Sequence, residues 1–572
     1  MRKLMVLMTV VCCILCARVS RTFARQRDPR RLPVAEYVDK MKAGWIGQMA
    51  GVGWGGPTEF KWAGQIIPED KMPQWEPKMI NQFQQDDIYV EMTFLRTLEL
   101  YGLDVSIRQA GIDFANSGYH LWHANDYGRT NLRDGIAPPD SGHPRFHKHA
   151  DDIDYQIEAD YAGLISPGLP NSGIRLGELF GRLMNYGDGV YGGQFVAGMY
   201  AEAFFEKDME KIVRAGLKCV PKGSQYHECI RDVLRWYKRN PNDWQKTWQL
   251  IESKYNDNID YRRFACGGHP PAYINVDGYQ MNIDAKINGA YIVMGLLYGK
   301  RDPDQTIIIS TRCGQDSDCN PSNAGGVLFT TIGFSNLPDK FTSAVHHERK
   351  FTHTPYAVPT LVAVCEKLAR ESVKRAGGHI ETDEHGDDVF VIPVKRPRPS
   401  KLVQSWEPGP IANSRFTEAE MEEIRPPHIS ELNRLMKTFA PGWKISKCGM
   451  SLNPGLRDEL YGKKNVLLTH AWSEETGCVL SRIAKIPEGK KTSLRLVVGH
   501  HPKGDCVLIV RADGKELLRR DMNKETCENI WADVDVDLTD YAGKTVKLEL
   551  VNEPNGWAYE VILWARVQIV SE

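Results

Sequence analysis

Two short acidic runs stand out by residue type and spacing. Gln84-Gln85-Asp86-Asp87 opens a stretch of helical periodicity, and Asp316-Ser317-Asp318-Cys319 precedes Asn320-Pro321 and a run of small and apolar residues. Each run alone has two readings. A carboxylate at a helix start caps free amides and is favoured by the helix dipole. It is also a hard oxygen donor of the kind Mg²⁺, Ca²⁺ or Mn²⁺ takes. Asn320 suits a helix cap and Pro321 a first turn, so Asp316 and Asp318 are expected in the loop that delivers the chain to that helix. If the two runs meet, they supply four such donors. His143-Pro-Arg-Phe-His147-Lys-His149 invites a zinc reading, but no acidic or cysteine partner stands at fixed spacing, and a solvated loop is the expectation. Beyond the first 24 residues the cysteines show no CxxC spacing, and the sequence has no GxSxG elbow, HExxH or glycine-rich phosphate loop, which removes the common hydrolase and nucleotide-fold alternatives.

The elements that must position these residues follow from periodicity. Ile88, Met92, Leu95 and Leu98 recur at helical spacing and mark one buried face. Further helices are expected over Gly193–Phe205, where small residues permit close packing, and Ile287–Tyr298. Residues 35–341 are therefore dominated by helical periodicity, broken by glycine-rich loops. Residues 342–440 read as a small extension, with a helix near Leu361–Lys374, a strand at Val389–Val394, and a stiff connector through Pro393, Pro397, Pro399, Pro408 and Pro410. Its Lys395-Arg-Pro-Arg-Pro run reads as solvated linker. From 441 to 572 the pattern changes to short alternating strands: Leu494–Val498, Cys506–Arg511, Val534–Leu538, Val546–Val551 and Val561–Val567. Ala512-Asp513-Gly514-Lys515 is a hairpin turn. Such spacing predicts a β-sandwich, either a structural appendage or a carbohydrate-binding module. Trp557 and His500-His501 do not decide between these.

Composition sets outer bounds. The 572 residues are too many for one core. Lys and Arg total 72 against 73 Asp and Glu, a net charge of -1, which argues against a nucleic-acid partner. Apolar content of 42% and charged content of 25% are those of a globular chain. Arg2 and Lys3 precede an apolar run from Leu4 to about Ala17, too short to span a bilayer comfortably, and Thr22-Phe23-Ala24 offers a cleavage site. Residues 1–24 thus read as a secretory signal peptide, with an uncleaved anchor as the alternative, and no later transmembrane segment is expected. Export to the periplasm or the extracellular space follows, with Cys13 and Cys16 leaving lipoprotein anchoring open. In an oxidising compartment the ten cysteines beyond the leader predict zero to two disulfides.

Residues from about 37 to 340 resemble the ADP-ribosylglycohydrolase family. An early Thr-Asp-Asp motif of that family appears as Gln85-Asp86-Asp87, and a late Asp-x-Asp-Thr motif as Asp316-Ser317-Asp318-Cys319. Gly47-Gln48-Met49-Ala50-Gly51, then Pro57-Thr58-Glu59, resembles its opening Gly-Asp-x-x-Gly and Pro-x-Glu pattern. The resemblance implies an all-α fold and one or two Mg²⁺ or Mn²⁺ ions held by Asp86, Asp87, Asp316 and Asp318, with Gln85 as a further ligand. Gln48, Gln85 and Cys319 depart from the pattern. Soft sulfur suits Mg²⁺ poorly, so Cys319 is expected beside the metal and not firmly bound. Glu59, on a glycine-rich loop, is the first candidate for general acid/base, with a surface carboxylate as the other reading. Trp54 and Trp62 flank it and either stack on substrate or pack in the core. Loops carrying Glu158, Asp160, Asn171, Asp188 and Tyr191 line the substrate pocket in the family. Asp160 and Asp188 are candidate water activators, with structural roles as the alternative.

The function expected is metal-dependent hydrolysis of a glycosidic bond in a ribosyl-like or other furanosidic substrate, a small molecule or glycan outside the cytosol. ADP-ribosyl hydrolysis is the enzymatic alternative, and an inactive, exported carbohydrate-binding protein the alternative of another class.

Overall fold

The computed structural model of the chain describes residues 28–258, 261, 273–274, 280–556 and 558–572. The expected signal peptide, residues 1–24, and Trp557 lie outside the described residues. The chain forms two compact units, each drawing on separated stretches. The first takes the chain up to Asp104, Asp151–Gly181 and Gly187–Glu407; the second takes Val105–Ala150, Arg182–Tyr186 and Pro408–Glu572. Among the described residues no helix is long and apolar enough to cross a membrane.

The first unit is helical, as the periodicity predicts. Eight of its helices matter for the site: α1 (Val34–Gly55), α2 (Asp86–Tyr101), α3 (Asp160–Leu164), α4 (Pro170–Phe180), α5 (Asp188–Ala203), α6 (Ala285–Tyr298), α7 (Cys319–Ile332) and α8 (Val358–Arg375). Every residue of α6 is buried, as expected of a helix apolar on all sides. A small antiparallel sheet in the order β1-β3-β2 closes the unit: β1 (Arg30–Pro33), β2 (His379–Thr382) and β3 (Asp388–Ile392).

The closest helix contact, α1 on α7, is written in glycine. Gly47, Gly51 and Gly55 recur every fourth residue and share one face of α1. A Cβ built on them would lie 2.4 Å from Gly325 O, 2.2 Å from Pro321 O and 2.1 Å from Ser317 O, in that order. Any side chain there forces the backbones apart. The row thus brings α1 down to the loop that carries Asp316 and Asp318.

The proline-rich connector lies along α4 and α5. Asn171 Nδ2 donates to Arg396 O (2.9 Å) and its Oδ1 accepts from Arg398 N (2.8 Å). Gln194 Nε2 donates to Ser400 Oγ, and Tyr191 OH donates to Lys401 O, both at 2.8 Å. The basic side chains Lys395, Arg396 and Arg398 remain exposed, so the run is solvated as expected.

The second unit holds two five-stranded antiparallel sheets: β4 (Lys444–Lys447), β5 (Gly455–Leu460), β6 (Lys463–His470), β7 (Cys478–Lys485), β8 (Thr492–His500), β9 (Cys506–Ala512), β10 (Lys515–Met522), β11 (Trp531–Asp537), β12 (Thr545–Glu553) and β13 (Val561–Ser571). Their orders are β11-β8-β13-β6-β5 and β10-β9-β12-β7-β4. Leu480, Leu494, Leu496, Leu508, Leu548 and Trp564 form the shared core. Asp513 (φ 49°) and Gly514 (φ 80°) make the expected tight hairpin between β9 and β10.

This unit corrects one sequence expectation. His143, His147 and His149 are buried, at 5%, 5% and 3% exposure, and not a solvated loop. His143 packs edge-on against Tyr186 (ring centroids 4.9 Å apart), while the His147 and His149 rings lie 5.8 and 4.9 Å from Tyr127. Burial pushes His147 and His149 down to about 3, so these rings pack as neutral aromatics. The nine described cysteines are all free and buried.

Candidate metal centre

The first acidic run begins α2. Gln85 is its N-cap; its carbonyl accepts from Ile88 N and Tyr89 N, and its side chain makes no capping bond. Asp86 and Asp87 form the first turn, and Asp87 is 2% exposed. The second run reaches α7 through a forced turn. Gly314 (φ 80°) and Gln315 (φ 56°) are both left-handed, and a Cβ on Gly314 would meet Trp62 O at 2.3 Å. Trp248 Nε1 fixes the start of the turn by donating to Cys313 O at 2.9 Å. Asp318 is the N-cap of α7 and Cys319 its first residue, two positions earlier than the Asn320-Pro321 reading expects. Proline fits anywhere in a first turn, where its missing N–H has no partner to lose, so its ring does not fix the boundary.

The two runs meet. Cys319 Sγ donates to Asp87 Oδ1 at 3.1 Å and lies 3.6 Å from Asp318 Oδ1. Asp316, Asp318 and Cys319 each present a donor atom within 4.8 Å of the others. Glu59, just after the turn Gly56–Thr58, joins them; Thr58 Oγ1 shares a 2.8 Å hydrogen bond with Ser317 Oγ and ties that turn to the second run.

Electrostatics follow from this crowding. Burial pushes Asp316 up to about 8 and holds Asp87 and Asp318 well above the usual carboxylate range, with neighbouring carboxylates adding to each. Burial raises Asp86 as well, while its own and Asp87's backbone amides pull back. Glu59 opens to solvent on one side and is walled by protein on the others. Loss of hydration, then Asp318 and Asp86, push it up to about 8 against the pull of Lys61. Carboxylates packed this closely are neutralised by protons or by a cation. Among the described residues Asp87 Oδ2 is fully buried without a hydrogen-bond partner. A set of hard oxygens with an orphaned carboxylate oxygen fits a hard divalent cation.

The other expected site residues fall elsewhere. Trp54 is 5% exposed, donates to Pro73 O at 2.8 Å and packs 5.2 Å from Trp75, inside an aromatic core with Phe341. Asp160, the first residue of α3, is fully buried and accepts from Asn323 Nδ2 at 2.6 Å; burial pushes it up to about 8. Asp188 accepts from Tyr226 N at 3.1 Å; burial pushes it up to about 7, with buried Lys286 opposing. Asn171 and Tyr191 hold the connector.

Glu91 is the residue that sequence reading passed over. It stands one helical turn beyond Asp87, is fully buried, and accepts from Tyr161 N at 2.7 Å, with Asp160, Glu158 and Asp87 close enough to raise its carboxyl further. Its i+4 spacing from Asp87 was the available signal.

No curated protein matches. Among solved structures, an ADP-ribosylglycohydrolase-related protein complex is similar at 12% identity, covering 59% of this chain and 99% of that one, with a TM-score of 0.36. The CBM22-1 xylan-binding domain from Paenibacillus barcinonensis Xyn10C is similar at 13% identity over 24% of this chain and 90% of that one, with a TM-score of 0.18. The family model described as ADP-ribosylglycohydrolase matches residues 33–377, more than half of the chain. That family is hydrolytic and generally metal-dependent. The chain belongs to the ADP-ribosylglycohydrolase family.

Proposed function

We propose that the helical unit hydrolyses a glycosidic bond of a ribosyl-like or other furanosidic substrate with the help of a divalent metal. The observation that carries this reading is the meeting of Asp86-Asp87 with Asp316 and Asp318 beside Glu59. Asp86, Asp87, Asp316 and Asp318 would hold Mg²⁺ or Mn²⁺, one or two ions, with the Gln85 amide oxygen as a further donor and Cys319 beside them. When bound, the metal supplies charge neutralisation, orientation of sugar hydroxyls and acidification of water.

Glu59 supplies proton transfer. Burial and the nearby Asp318 and Asp86 carboxylates raise its pKa toward the range a proton donor needs, and it is open to solvent. It gives a proton to the leaving-group oxygen as the glycosidic bond breaks, and regains one from the water whose oxygen joins the anomeric carbon. Asp160 and Asp188 are closed from solvent, and we assign them to the framework: Asp160 to the seam between α3 and α7, Asp188 to the ion cluster around Lys286. Trp54, Asn171 and Tyr191 likewise serve packing and the connector.

The expected leader supports export, and with it a carbohydrate or glycan substrate outside the cytosol. The family description supports a second reading, hydrolysis of an ADP-ribosyl bond. A screen with Mg²⁺ or Mn²⁺ present separates them. Reducing sugar released from furanosides or nucleosides supports the first reading, and ADP-ribose released from ADP-ribosyl compounds the second. Glycan binding in chelator with no product from any of them overturns both in favour of a binding protein.

A further inference from the structure

One short stretch, Asn282–Asn288, grips the second aspartate run from both sides. Upstream, Asn282 N donates to Gln315 Oε1 at 2.7 Å, holding the left-handed residue that precedes Asp316. Downstream, Asn320 Nδ2 donates to Asn288 Oδ1 at 2.9 Å, holding the residue that follows Cys319. The stretch is also closed on itself: Asn288 Nδ2 donates to Asn282 O (2.9 Å) and Asp284 O (3.0 Å). With its amide nitrogen committed to two carbonyls, the Asn288 oxygen has one orientation left, toward Asn320. Gln315, Asn282 and Asn288 are all at least nine-tenths buried, as is Asn320, so water cannot stand in for a lost bond. The stretch has its own anchor. Lys286, 1% exposed, pairs with Asp284, whose Oδ1 accepts from Lys286 N at 2.8 Å.

We infer that Asn288 is a positioning residue for the metal centre: its amide closes the Asn282–Asn288 stretch into a clamp that sets the spacing of Asp316 and Asp318. This rests on reading those aspartates as metal ligands. Groups that orient ligands in this way change metal affinity by about 10–100-fold when removed, whereas a buried hydrogen bond elsewhere changes stability alone. Thr247 Oγ1 to Tyr298 OH, 2.6 Å and buried in the same unit, is such a bond and serves as the control.

The test is Mn²⁺ titration by calorimetry and Mn²⁺ electron paramagnetic resonance on the full chain, with the thermal midpoint measured in parallel. The variants are Asn288→Ala, Asn320→Ala, the pair together, and Thr247→Val. The clamp predicts Mn²⁺ affinity about 10–100-fold weaker and an altered resonance spectrum for each asparagine variant. It also predicts that the pair loses no more than the larger single change, since Asn288→Ala already breaks the bond to Asn320. Thr247→Val lowers the midpoint and leaves affinity unchanged. If Asn288→Ala fails to fold, Asn320→Ala carries the same prediction. Wild-type affinity in both asparagine variants, or losses that add, overturns the clamp and leaves the metal reading standing. Absence of Mn²⁺ binding by the wild type overturns both.

Discussion

The Cys319 thiol donates to Asp87 Oδ1 across 3.1 Å, joining the first turns of two helices that stand 232 positions apart in the chain. Sulfur in that place is a poor partner for a hard cation. Cys319→Ser offers a hydroxyl of similar reach, so its Mg²⁺ affinity should rise severalfold while its Cd²⁺ affinity falls. Calorimetry with each ion checks this. Equal Mg²⁺ and Cd²⁺ affinities in the two proteins would remove Cys319 from the neighbourhood of the metal.

Glu59, open to solvent, lies close enough to Asp318 and Asp86 for their charges to raise its carboxyl. Glu59→Gln keeps shape and hydrogen bonding but cannot give up a proton. Turnover on the substrate found by screening should drop about 10²–10⁴-fold, the usual worth of a general acid or base, with Mn²⁺ still bound. Turnover within a few-fold of wild type would reassign the acid.

Gly55→Ala tests how α1 and the Glu59 turn after it are held against the second aspartate run. Alanine normally favours a helix over glycine by about 1 kcal/mol. Here the added methyl would lie 2.1 Å from Ser317 O, a backbone atom that cannot swing aside. Overpacking of this kind costs about 1–3 kcal/mol or more, so the thermal midpoint should fall and metal affinity with it. An unchanged midpoint would mean that α1 and α7 can part without loss.

In the β-sandwich unit, Glu560 is 2% exposed at the edge of β13, and its Oε2 accepts from Asn555 N at 3.3 Å. Burial pushes its carboxyl up to about 7 from an ordinary 4.5, with the amides of Asn555 and Gly556 pulling back. The folded chain therefore holds this proton more tightly than the unfolded one. The stabilising contribution is complete below about pH 4.5 and is lost as pH rises to about 7. Glu560→Gln should leave stability at pH 4 nearly unchanged and raise it at pH 8 by about 1–3 kcal/mol. Denaturant unfolding at the two pH values measures this; an equal effect at both would show that burial is not the cause.

The aspartate pairs were legible because helix starts have their own grammar, and α2 because Ile88, Met92, Leu95 and Leu98 repeat at its period. Strands β8, β9, β11, β12 and β13 were legible from apolar alternation. Strand β10, an edge strand with Lys515, Glu516, Arg519 and Arg520 exposed or half-buried, carries no such signal. The approach of the Glu59 turn to the second run rests on the glycine row of α1 against α7, and the meeting of the two runs on the Cys319–Asp87 contact, tertiary contacts that no local pattern announces. The burial of His143, His147 and His149 was hidden for the same kind of reason: polar residue types suggested solvent, and their covering rings, Tyr127 and Tyr186, stand elsewhere in the sequence. Asp188 reads like a pocket carboxylate by its glycine-rich surroundings, yet its partners Lys286 and Asp284 lie about a hundred positions on, beyond what local spacing reports.

The central claim is that the two aspartate runs form one metal site. Titration of Mg²⁺ and Mn²⁺ by calorimetry into wild type and Asp316→Asn tests it most directly. The account predicts binding by the wild type and affinity lowered at least about tenfold in the variant, the loss of a charged oxygen donor from a buried set. Equal affinity in the two proteins would contradict it.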